Sequence, residues 1–103
     1  MIARRWIGET LASDADNYLK YLEETGIRDN QKTKGNRGVW LLRRVQDGRA
    51  EFVFISIWDS LESIKAFAGP DYDKAVYYPE DEKFLLELDP HVAHYEVLVS
   101  PES

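Results

Sequence analysis

The chain has 103 residues, 44% of them hydrophobic and 13% aromatic, with a formal net charge of −6 and no cysteine. That length and apolar content predict one globular domain over residues 1–103, with one modest core, and exclude a disordered chain. The acidic balance argues against nucleic acid or an anionic membrane as the main partner, since both need clustered Lys and Arg, and the lack of Cys excludes disulfides, thiolate metal sites and a Cys nucleophile.

No run of about 18 apolar residues is present, so no bilayer-spanning helix is expected. The opening MIARRWIGET has no apolar stretch or cleavage site and does not read as a signal peptide. A cysteine-free chain is compatible with a reducing cytoplasm, which is the expected location.

Ile2–Leu11 alternates, with Ile2, Arg4, Trp6 and Gly8 on one side and Ala3, Arg5, Ile7 and Glu9 on the other, and predicts a first strand. Ser13 and Asp16 form a capping-box-like start for a helix over Asp14–Thr25. Ala15, Tyr18, Leu19 and Leu22 make its core stripe, and Gly26 is the expected stop. Arg28–Arg37 is polar and reads as a mobile loop. Gly38–Gln46 predicts a second strand, joined by an Asp47-Gly48 hairpin turn to a third over Ala50–Trp58.

The segment Glu51–Gly69 organises the rest. Its dense apolar run, Phe52–Trp58, reads as a strand buried on both faces. Asp59 or Ser60 then caps a helix over Leu61–Ala68, which turns Leu61, Ile64, Phe67 and Ala68 inward and ends at Gly69-Pro70. A helical turn is expected over Asp73–Tyr78. A short helix is expected after Pro79, its Glu80-Asp81-Glu82 run being a solvated first turn that favours the positive helix end. Phe84, Leu85 and Leu88 would pack down beneath it. His91–Ser100 alternates and predicts a fourth strand. The order strand–helix–strand–strand–helix–strand matches an α+β, ferredoxin-like sandwich with an antiparallel sheet and two main helices on one face.

Two helices cover only one sheet face, yet both faces are apolar. Val53, Ile55 and Ile57 lie on one side of the third strand, with Phe52, Phe54, Ser56 and Trp58 on the other. Leaving the aliphatic side wet forgoes roughly 1.5–3 kcal/mol per large side chain, so a second copy is expected to cover it, forming a homodimer. The alternative is that the last helical piece or the C-terminus wraps round that side. The opposite face is read as carrying Arg4, Trp6, Trp40, Ser56, Trp58 and His94 beneath Tyr18, Ile64, Phe67 and Tyr77 or Tyr78. Rings with polar tips and a few convergent polar groups line small-molecule cavities, and they also make ordinary cores.

The segments FISIWDSLESIKAFAG and KAVYYPEDEKFLLELDPHVAHYEVL resemble the antibiotic-biosynthesis-monooxygenase-like group of the dimeric α+β barrel superfamily. The resemblance spans nearly the whole chain in element order and is most specific over Trp58–Ala68 and His94-Tyr95-Glu96-Val97. It implies a ferredoxin-like protomer paired sheet against sheet, with a ligand pocket between sheet and helices lined by a Trp at the position of Trp58. It also implies either oxygenation of small planar phenols or quinols without metal or flavin, or haem degradation. The haem-degrading members use an Asn on the first strand and a His on the helix that follows the third strand. Here the first strand carries Trp6 and no Asn, and Ile64–Ala68 holds no His, so that mechanism does not carry over.

Within this reading His94 is either a general base, with an unperturbed pKa near 6.5, or a hydrogen-bonded core histidine. Arg4 either holds an anionic substrate or developing enolate or pairs with Glu96. Trp6, Trp40 and Trp58 clamp a planar ring or simply pack. Ser56 and Phe67 complete the wall. Tyr77 and Tyr78 either donate to a substrate carbonyl or lie in a dimer seam. His91 and His94 fall on opposite strand faces, so no metal site is expected. Three functions stay open: a cofactor-independent monooxygenase acting on a small aromatic, a non-catalytic ligand-binding or stress-related homodimer, and haem binding through His94 or a Tyr.

Overall fold

The computed structural model describes residues 1–101. Four antiparallel strands form one sheet in the order β2-β3-β1-β4: β1 Ile2–Leu11, β2 Asn36–Gln46, β3 Arg49–Trp58 and β4 Ala93–Glu96. The helices are α1 Ala15–Leu22, α2 Arg28–Lys32, α3 Leu61–Ala68 and α4 Asp81–Phe84. This is the ferredoxin-like α+β arrangement that the element order predicts.

The local signals that hold are those with a backbone cause. Asp47 and Gly48 take φ of 54° and 75°, the double positive φ of the tight hairpin turn whose twist matches its strands. Ser60 accepts from the Ser63 N–H at 3.3 Å to start α3, and Gly69, at φ 84°, ends it.

Gly26 does not end the first helix. It keeps helical backbone, and the chain passes through a wide π-helical turn, Glu23–Ile27, into α2. Side chains one turn on pick up the carbonyls: Thr25 Oγ1 donates to Tyr21 O at 2.7 Å, Asn30 Nδ2 to Gly26 O at 2.7 Å and Thr33 Oγ1 to Asp29 O at 2.8 Å. The expected loop over residues 28–37 therefore shrinks to residues 33–35.

Two further expectations are corrected near the C-terminus. Residues 73–78 are irregular rather than helical, and bridge Lys74 to His91. Ala75 N–H donates to Pro90 O at 2.9 Å and Val92 N–H to Asp73 O at 3.0 Å. The fourth strand is only Ala93–Glu96, because Glu96 already faces Ile2 at the start of β1. One more bond, Val97 N–H to Met1 O, uses up that edge.

The sheet has a covered face and an open one. Ala15, Tyr18 and Leu22 of α1, Ile64 of α3 and Leu85 after α4 cover Ala50, Phe52, Phe54 and Trp58, and all nine are buried. The open face carries Ile7, Val53, Ile55, Ile57, Leu42 and Tyr95. Trp40 belongs to it as well, which corrects its predicted position. With two turn residues between them, Gln46 faces Arg49 and Val45 faces Ala50, so Trp40 lies opposite Ile55, and it is 59% exposed. Among the described residues nothing folds over this side: Leu98 and Val99 of the tail are 81% and 86% exposed, and α4 is tied to α1 on the covered side through Tyr18 and Asp81.

Candidate functional site

Between the covered face and the helices lies a cavity of about 60 Å³. Its floor is Arg4 and Trp6 of β1 with Phe54 and Ser56 of β3; α1, α2 and α3 contribute Tyr18, Asn30 and Phe67, the segment before α4 contributes Tyr77 and Tyr78, and the start of α4 contributes Asp81. The alternation of β1 puts Arg4 and Trp6 on one side. Gly8, next on that side, leaves room for the Trp6 ring: a Cβ there would fall 2.2 Å from Trp6 Cη2.

Arg4 is 5% exposed. Its guanidinium donates to the backbone carbonyls of Tyr72 and, at 2.9 Å, of Lys74, and sits 3.0 Å from His94 Nε2. The Phe67 ring centroid is 6.0 Å from its Cζ. Among the described residues no carboxylate forms an ion pair with it. The expected alternative partner, Glu96, is exposed at the end of β4, opposite Ile2. Burial lowers the Arg4 pKa to about 10 against the opposing charge of Asp73, and at neutral pH it is a buried cation held by neutral acceptors.

His94 stands behind Arg4, off the cavity wall. Nε2 meets Arg4, Nδ1 lies 3.5 Å from Asp73 Oδ1, and the ring is edge-on to Tyr72. Burial, and then the charge of Arg4, push its pKa below the usual value, with Asp73 opposing. A guanidinium can only donate, so Nε2 is the acceptor and Nδ1 carries the proton. The ring thus positions Arg4 and Asp73, with no nitrogen turned to the cavity.

Trp58 also lies off the wall. It is fully buried, donates through Nε1 to Ser56 Oγ at 2.8 Å, and stacks at a tilt on Phe67, centroids 5.8 Å apart. Trp58 and Phe67 support the floor, with Ser56 and Phe67 at its surface. Trp40, on the open face, plays no part. Trp6 Nε1 donates to Tyr77 Oη at 3.1 Å with the rings edge to face, and Tyr77 Oη in turn donates to Asp89 O. Tyr78 Oη donates to Asp29 Oδ2 at 2.6 Å. Burial raises both tyrosine pKa values; for Tyr78 the Asp29 hydrogen bond adds to it. Both hydroxyls are therefore phenols at neutral pH, already donating.

The sequence reading misses the two polar wall residues Asp81 and Asn30. Asp81 is assigned to a solvated helix start, yet it is 3% exposed. Oδ1 accepts from Tyr18 Oη at 3.0 Å and Oδ2 from the Tyr78 N–H at 2.6 Å. Burial raises its pKa, and those two bonds partly offset the rise. Asp81 stands three residues after Tyr78 and bonds its N–H, as a capping carboxylate does, a spacing that in the sequence does not distinguish it from a solvated helix start. Asn30, assigned to a mobile loop, is 4% exposed on α2. Among the described residues no group of three or more His, Asp or Glu side chains is placed to hold a metal ion.

No family model matches the sequence, and no curated protein does. Solved structures do. A protein from Bacillus cereus described as a candidate antibiotic biosynthesis monooxygenase is 19% identical, with a TM-score of 0.64 over 96% of this chain and 93% of its own. One of the same description from Nitrosomonas europaea is 15% identical, with a TM-score of 0.63 over 96% and 100%. MhuD of Mycobacterium tuberculosis, a haem degrader solved with two haems in its active site, is 17% identical, with a TM-score of 0.59 over 97% and 98%. At such identities the likeness speaks for architecture alone, and the chain has the ferredoxin-like α+β fold of the antibiotic biosynthesis monooxygenase-like proteins.

Proposed function

We propose that the protein is a homodimer, paired through its open sheet face, whose cavity binds a small planar phenol or quinol and promotes its oxygenation without a cofactor. The observation that carries the site is Arg4, a buried guanidinium on a cavity wall of rings, with no carboxylate partner among the described residues. A buried cation is costly unless matched, and it is matched best when a bound phenol becomes a phenolate. Stabilising that anion raises its electron density towards oxygen. The overall step balances as phenol plus O₂ giving a quinone plus water. One oxygen atom enters the ring carbon. The other leaves as water with the phenolic hydrogen and the hydrogen displaced from that carbon. His94 turns no nitrogen to the cavity, so the wall group suited to take the phenolic proton is Asp81, whose oxygens each accept one hydrogen bond and keep a further lone pair, and whose raised pKa favours holding a proton.

The open face supports the dimer. Val53, Ile55, Ile57 and Leu42 make a continuous apolar surface with Trp40 and Tyr95 beside it, of the kind that soluble monomers rarely leave uncovered. Among the described residues no helix is long and apolar enough to cross a membrane, and a cysteine-free chain suits the cytoplasm.

The cavity is smaller than the roughly 150 Å³ that admits benzene in an apolar core, so a ring enters only if the wall at residues 76–78 shifts outwards. That wall has no regular secondary structure. The tight cavity is also the observation that favours the second reading, a dimer that binds a smaller ligand without turning it over. Haem, as in MhuD, needs far more room still, and a haemin titration without a Soret shift removes it.

The test is oxygen uptake with a panel of phenols and hydroquinones, comparing wild type with Arg4→Gln. Uptake that falls about a hundredfold in a folded Arg4→Gln supports the oxygenase, in line with the loss of one stabilising donor. No uptake with any wild-type pairing, or equal rates in both proteins, overturns it.

A further inference from the structure

We infer that Asn30 reads a hydroxyl or N–H donor on the ligand of this cavity and selects against its alkylated counterpart, an inference that rests on the cavity being a ligand site. Asn30 comes from α2, across the cavity from the sheet that carries Arg4. Its amide orientation is set by chemistry: the atom 2.7 Å from the Gly26 carbonyl must be the donor, Nδ2, because a carbonyl only accepts. Oδ1 is therefore the other atom. It is buried and has no hydrogen-bond partner.

The other polar groups of the wall have hydrogen-bond partners among the described residues. Asp81 accepts at both oxygens, Tyr18 and Tyr78 donate to carboxylates, and Tyr77 both accepts and donates. The Asn30 oxygen is the exception. Such an acceptor is costly to leave without a donor, and Asn30 is held in place by its own bond to Gly26. A ligand that pushes the wall open and brings an O–H or N–H supplies the missing donor. A methyl ether of the same shape brings none and leaves the oxygen buried and unpaired. Sites built to meet a hydroxyl discriminate strongly against analogues that lack it.

Arg4 and Asn30 then make complementary demands, one favouring an electron-rich oxygen and the other a donor hydrogen. A dihydroxylated ring, or a ring carrying a hydroxyl and a carbonyl, meets both. A simple carboxylate without a donor meets only the first.

The experiment is an NMR titration of the full chain with phenol and with anisole, following the indole N–H of Trp6 on the cavity wall, in wild type and in Asn30→Leu. The expected result is phenol binding at least about tenfold tighter than anisole in wild type, with that gap closed in Asn30→Leu while anisole affinity is retained. Equal binding of the two probes by wild type overturns the role of Asn30 and leaves the cavity as a ligand site. So does a gap that survives in Asn30→Leu, because the hydroxyl is then read elsewhere. Failure of both probes to bind wild type overturns the ligand site, and this inference with it. The wild-type comparison needs no substitution, so it stands even if Asn30→Leu does not fold.

Discussion

On the covered face of the sheet Trp58 and Phe52 are 0% and 1% exposed; on the open face Trp40 and Ile7 are 59% and 40% exposed. Strand β3 supplies large apolar side chains to both faces. The difference lies in what the chain provides on each side. Four helices close one face, with Arg4, Asp81 and Asn30 among the residues lining the cavity beneath them. Among the described residues the other face receives no helix. One face therefore carries the protomer's stability and its cavity, and the other is the one proposed to pair two copies, so substitutions on the two faces should fail in different ways.

The largest effect is expected at the two tryptophans. Trp58→Ala removes a fully buried ring beneath Ser56 and Phe67, and should cost about 3–5 kcal/mol, a large part of the 5–15 kcal/mol typical of a whole domain. Trp40→Ala removes a ring already more than half in water, and in dilute protein should cost under about 1 kcal/mol. Urea unfolding at low protein concentration measures both. Equal losses would erase the distinction between the faces.

Next comes the association itself. Val53 lies on β3 on the open face, between Ile7 and Leu42 on the flanking strands. Val53→Asp puts an unpaired charge into the proposed interface, and should weaken dimerisation by about 3 kcal/mol or more, over a hundredfold. Leu98→Asp, a change in the exposed tail, should leave it unaltered. Sedimentation equilibrium separates the outcomes, and a wild-type protein that is monomeric at millimolar concentration would end the argument for pairing.

The same contrast explains what could be read from the sequence. Strand alternation, the Asp47-Gly48 turn and the Ser60 cap act through the backbone over a few residues, so the sheet and its topology were legible. The assignment of Trp40 failed although the information was present: a two-residue turn fixes which residues of β2 and β3 face one another, and counting back from it puts Trp40 beside Ile55. Asn30 and Asp81 were out of reach for another reason. Polar residues at helix ends are usually solvated, and only the fold shows that α2 and the start of α4 close over the cavity. Gly26 misled in the same way, because the wide turn through it depends on side chains of Thr25 and Asn30 taking over carbonyl groups. Arg4 and His94 were placed on the same sheet face, and their direct contact was not read. That His94 serves Arg4 and does not face the cavity follows from Tyr72, Asp73 and Lys74, the last two in a stretch expected to be helical.

The smallest effect concerns that stretch and is read through pH. His94 is faced by Arg4, Asp73 and Tyr72, and burial followed by the Arg4 charge sets its folded pKa below the unfolded value near 6.5. Between those two values the unfolded chain binds more protons, so stability rises with pH. The contribution is complete above about pH 6.5 and is lost as pH falls through the lowered native value. One proton sets the limit, a slope of at most about 1.4 kcal/mol per pH unit. Asp81 has the opposite sign. Its raised pKa gives a contribution that is present at low pH and lost as pH rises through the native value. His94→Gln keeps an acceptor for Arg4 without a titrating ring, and should flatten the stability curve just below pH 6.5 while leaving the Asp81 component in place. Urea midpoints measured across that range decide it. An unchanged slope would mean that His94 is not held neutral against Arg4, and that the guanidinium on the cavity wall is positioned by the Tyr72 and Lys74 carbonyls alone.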